Sequence, residues 1–139
     1  MERRVSFPVK LKLMENFREF QVTDPFGKTW TAQFKYLQTG ISIRHSDSVD
    51  VCYLLSSEGE TVRKTVVLSH PELRDYASRT GRKITDPWCS RLAVMKLQQV
   101  ISNGEDPESQ YLPVANAEIA EYDAVIQEWE KEWLKQHAA

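Results

Sequence analysis

The sequence predicts an α+β domain: a six-stranded, mainly antiparallel curled sheet over about residues 5–68, followed by three helices. Three observations predict it. Apolar residues recur at every second position through the first half of the chain, which is the period of a half-buried strand. After residue 69 the spacing changes to three and four, with helix-start residues ahead of each apolar stripe. The chain of 139 residues is 41% hydrophobic and 27% charged, with only 5 Gly and 6 Pro, a composition that builds one core rather than a disordered tract. A single domain spanning residues 1–139 is expected.

The first strand is read from Val5, Phe7, Val9, Leu11 and Leu13, with Ser6, Pro8, Lys10 and Lys12 on the other face. Pro8 cannot donate to a ladder, so this strand belongs at an edge. Phe20 and Val22 continue the pattern to Asp24-Pro25-Phe26-Gly27, where Asp, Pro and Gly stand at the positions a type I turn prefers. The return strand puts Trp30, Ala32, Phe34 and Tyr36 on one face; Gly40 ends it, and Ile41 and Ile43 form a short fourth segment. Val51-Cys52-Tyr53-Leu54-Leu55 is apolar on both faces and belongs in the middle of the sheet. Ser57-Glu58-Gly59-Glu60 turns the chain into the last strand, Val62 to Leu68, in a meander that can curl into a partial barrel.

The helices are expected at about 70–80, 86–102 and 116–136. Ser69 and Glu72 match a capping box, with Pro71 in the first turn and Gly81 as the stop. Asp86 with Pro87 reads as a second start, and Trp88, Leu92, Met95, Leu97, Val100 and Ile101 form a wide stripe. Residues 103–113 read as a tether on composition. In the last helix Ile119, Tyr122, Ile126, Trp129 and Trp133 are spaced 3, 4, 3 and 4, a narrow aromatic seam. Glu118, Glu121, Asp123, Glu128, Glu130 and Glu132 take the remaining, solvated faces.

Charge is distributed unevenly. Residues 62–104 hold eight Lys/Arg against three Asp/Glu, a net +5, whereas residues 105–139 hold two against nine, a net −7. Such asymmetry constrains partners more than fold. One account places the acidic tail helix over the basic segment within the molecule. The other makes both segments available to a partner.

Catalytic constellations are missing from the sequence. There is no Gly-rich phosphate loop, no C-x-x-C and no H-x-x-x-H pair, so neither a cofactor nor a metal site is expected. Cys89 falls in the first turn of a helix, where the helix field favours a thiolate, but no histidine stands in a motif with it. An enzyme built on Cys89 is therefore the third reading. Asp47 and Asp50 flank a strand start and are explained by turn chemistry.

The leading expectation is a non-catalytic interaction module that binds a protein or a second copy of itself. Its partner surface would be Ile119, Tyr122, Ile126, Trp129 and Trp133, with Arg74, Arg79, Arg82 and Lys83 taking an anion or acidic partner. The alternative is a nucleic-acid-binding regulator using the basic 74–96 segment, including Arg91. Against it, the pI is near 5.9, while nucleic-acid-binding domains commonly lie above about 9. Two cysteines make no disulfide framework, and neither a signal peptide nor a membrane span is read from the sequence, so a cytoplasmic location is expected.

Overall fold

The computed structural model describes residues 18–40, 47–104 and 109–137. The expected edge strand at residues 5–13 and the segment at residues 41–43 lie outside them. The described residues form a five-stranded mixed sheet and three helices, so the class is α+β. The sheet is not the six-stranded antiparallel one expected. Its order is β1-β2-β3-β4-β5, with β1 (Glu19–Thr23), β2 (Thr29–Gly40), β3 (Ser48–Ser57) and β4 (Glu60–Ser69) antiparallel, and β5 (Tyr111–Pro113) parallel to β4. Among the described residues it is an open sheet with β1 and β5 at its edges.

The β1–β2 hairpin forms where the turn residues place it. Gly27 N–H donates to the Asp24 carbonyl at 3.1 Å, and Asp24 Oδ1 accepts from the N–H groups of Phe26 and Lys28, both at 2.9 Å. Gly27 sits at φ 86°, a conformation that costs glycine nothing. In β2 the register slips between Phe34 and Tyr36, so Lys35 is an extra residue against β3. One extra residue inverts the facing of everything after it. Tyr36 therefore leaves the face it was expected to share with Trp30, Ala32 and Phe34 and is exposed, while Leu37 turns in toward the core. The β3–β4 turn places Glu58 and Gly59 at φ 50° and 84°, the two left-handed residues of a tight hairpin.

β5 falls inside the stretch expected to be a tether. Thr65 N–H donates to the Gln110 carbonyl at 2.8 Å and Val114 N–H to the Val67 carbonyl at 3.0 Å. The Lys64 ammonium donates to the Ser109 carbonyl. Three residues beside a proline show no period; only the unpaired edge of β4 makes them a strand. Their burial of Leu112 and Val114 anchors the chain just before the last helix.

The helices are α1 (His70–Thr80), α2 (Asp86–Asn103) and α3 (Asn116–His137). Ser69 makes no side-chain cap; the His70 N–H is taken by the Asp47 carbonyl at 2.9 Å instead. α2 is capped by Thr85, whose hydroxyl accepts from Trp88 N–H at 3.3 Å, leaving Asp86 in the first turn rather than at the cap. α2 packs on the sheet along one side and on α3 along another, and so is buried nearly all round. Leu92, Met95 and Leu97 of α2 are fully buried in one cluster with Val51 and Tyr53 of β3 and Val66 of β4. α3 lies across α1 and α2.

Candidate interaction surface

The loop between α1 and α2 and the outer helix α3 meet around one carboxylate. Gly81 ends α1 in the left-handed conformation, its N–H donating to the Ala77 carbonyl at 2.8 Å. That turn throws Arg82 back toward α3. Its guanidinium donates to Asp123 Oδ1 at 2.6 Å and to Oδ2 at 3.4 Å, and to the two oxygens of Glu130 at 3.2 Å each. Asp123 also accepts from Tyr76 Oη at 2.6 Å, Trp88 Nε1 at 2.9 Å and Gln127 Nε2 at 2.9 Å. All three helices and the loop thus converge on one completely buried side chain.

Burial pushes the Asp123 carboxyl up, but the donors on Tyr76, Arg82, Trp88 and Gln127 outweigh it and hold it below the usual carboxylate range. Burial, and then the Asp123 carboxylate it bonds to, push the Tyr76 hydroxyl up to about 12. The Tyr76 and Trp88 rings stack at 6.1 Å with 17° between planes, and Arg82 lies 5.7 Å from the Trp88 centroid. The expected solvated role of Asp123 is therefore corrected. It stands four residues after Ile119, on the inward side of the helix, and its spacing was the available signal.

Beside this hub lies an open cleft of about 560 Å³, lined by Arg82, Lys83 and Thr85 of the loop, Trp88 and Arg91 of α2, and Gln127 and Glu130 of α3. Arg91 lies 5.0 Å over the Trp129 ring. On α2 and α3, Lys96 pairs with Glu118 at 3.1 Å, and Glu118 in turn accepts from the Ala115 N–H at 2.9 Å, capping its own helix. Part of the basic segment is thus neutralised by the tail helix of the same molecule.

The aromatic seam divides. Ile119, Tyr122 and Ile126 are fully covered by their own chain, and the Tyr122 hydroxyl bonds Gln99. α1 and α2 occupy that side of the helix. Trp129 is partly buried, packed against the core. Beyond it residues 131–136 are all exposed, with Trp133 at 43% and Leu134 at 59%. Leu134 was missed because the 3, 4, 3, 4 spacing selects Trp133 alone.

The four basic residues are not brought together. Arg74 bonds His70 Nδ1 at 2.7 Å near the start of α1, and Arg79 pairs with Asp75 at 3.1 Å. Only Arg82 and Lys83 line the cleft, and of these Lys83 is exposed. Cys89 is buried, and burial, then Asp86, push its thiol up to about 12. A thiol so placed stays protonated at neutral pH, which disfavours attack by its sulfur. Among the described residues, no group of three or more His, Cys, Asp or Glu could hold a metal ion, and no helix is long and apolar enough to cross a membrane. Comparison with protein families, with curated proteins and with solved structures finds no match.

Proposed function

We propose that this protein is a non-catalytic interaction module of the cytoplasm, and that it binds a protein partner through the end of α3 and the adjoining cleft. The observation that carries this reading is the overhang of α3. The helix continues past its packed turns and presents Trp133 and Leu134 one turn beyond Trp129, which lies under Arg91, and Glu130, which lines the cleft. Exposed large apolar side chains rimmed by charge are a feature of binding surfaces, and Trp is enriched at binding hot spots. The nucleic-acid alternative has less to stand on, since Arg82 and Arg79 are already paired with carboxylates of this chain.

Photo-crosslinking groups placed at Gln136 and at Thr61, an exposed position near the start of β4, test the reading in cells. Adducts formed from position 136, absent from position 61 and lost in the Trp133→Ser, Leu134→Ser double variant are expected. Equal labelling from both positions would remove the proposal.

A further inference from the structure

We infer that the occupant of this surface is a second copy of the same chain, docked about a two-fold axis beside the last turns of α3. The inference rests on the interaction-module reading and supplies the partner. Three strips make up the patch, the cationic one meeting the apolar one where Arg91 lies over Trp129. The middle is apolar, with Trp129 partly buried under Arg91 and Trp133 and Leu134 exposed beyond it. One flank is cationic: Lys83 and Arg91 line the cleft, and among the described residues neither has a carboxylate within ion-pair distance.

The other flank is anionic. Helical spacing sets Glu132 beside Trp133 on the side away from Leu134, with Glu128 one turn earlier. Their recorded ion pairs are loose ones on their own helix, to Lys135 at 3.8 Å and Lys131 at 3.9 Å, with every side chain at least 64% exposed. Such pairs hold a charge weakly and leave it available.

A two-fold interface requires a patch complementary to itself. An apolar strip between a basic and an acidic flank meets that requirement: rotation lays apolar strip on apolar strip and each basic flank on the partner's acidic flank. Lys83 of one copy then faces Glu132 of the other, twice per dimer. Two exposed large side chains per copy make a small apolar centre, so the dimer is expected to be weak and salt-sensitive.

Sedimentation velocity of the full chain over a concentration series, at low and high salt, tests this. At low salt the mass should rise toward twice the 16.1 kDa of the chain. Lys83→Glu and Glu132→Lys should each weaken dimerisation by about tenfold, since symmetry repeats each repulsion, and the two together should restore it. The Trp133→Ser, Leu134→Ser variant should stay monomeric at every concentration while still unfolding in one cooperative transition. A wild-type chain monomeric at every concentration, or a charge-swapped double variant no tighter than its parents, overturns the inference. If that monomer still gives position-136 adducts with another protein, the interaction-module reading survives; if it gives none, both fall.

Discussion

The two ends of α3 continue one helical spacing of apolar residues and have opposite fates. From Ile119 to Ile126 the helix lies across α1 and α2, and its inward side, including the charged Asp123, is sealed from water. From residue 131 to 136 the same helix, with Trp133 and Leu134 in phase with that side, is exposed throughout. Helical spacing states that a helix has an apolar side and leaves open what stands opposite. Here the supporting helices end before α3 does, and that difference in length separates core from surface.

The comparison can be broken most severely at Asp123. Asp123→Ala leaves Tyr76, Trp88 and the Arg82 guanidinium without their shared acceptor in a dry site. A loss of about 3–5 kcal/mol is expected from urea unfolding. The same site predicts a pH dependence. Because the carboxyl titrates lower in the folded chain than in the unfolded one, the unfolded state binds the extra proton. Its stabilisation is complete above the ordinary carboxylate range and falls away as pH drops below about 4. Asp123→Asn should be less stable than wild type at pH 7, with the gap narrowing toward pH 3; a constant gap would refute the shift.

Next in size is the contrast between the two halves of the seam. Ile119→Ala, in a fully covered site, should cost about 2–5 kcal/mol. Trp133→Ala should cost clearly less than Ile119→Ala, about 1–2 kcal/mol at most, because 43% of Trp133 is exposed whereas Ile119 is fully covered. Comparable losses at both positions in thermal unfolding would mean the end of α3 is part of the core.

The arginines give a smaller contrast. Arg82→Ala, which uncovers a buried carboxylate, should cost about 2–3 kcal/mol, whereas Arg79→Ala removes an exposed pair and should cost at most about 1 kcal/mol. The smallest effect is chemical: Cys52 and Cys89 are both buried, so alkylation at pH 7 should be slow at each and accelerate only on denaturation. Rapid modification of Cys89 alone would revive the nucleophile reading.

Much of the local structure was legible. Asp24-Pro25-Phe26-Gly27 and Ser57-Glu58-Gly59-Glu60 mark their turns because few residues tolerate those backbone angles. Pro71, Gly81 and Pro87 bracket helices for the same kind of reason. The Lys35 bulge was not legible, since an alternating pattern reads straight through an inserted residue. Nor was β5, whose three residues carry no period. The Asp123 hub escaped notice because three of its four donors, Tyr76, Arg82 and Trp88, lie 35 to 47 residues away in sequence.

By itself the sequence determined the α+β class, the hairpins, the extents of the three helices and the charge imbalance, because turn angles, caps and periodicity act over a few neighbouring residues. Only the tertiary structure decided which part of the last helix is interior, which arginine meets a carboxylate and where a cleft opens. Those outcomes depend on which elements of unequal length come to lie side by side, and burial is a property of the assembled neighbours rather than of any residue alone.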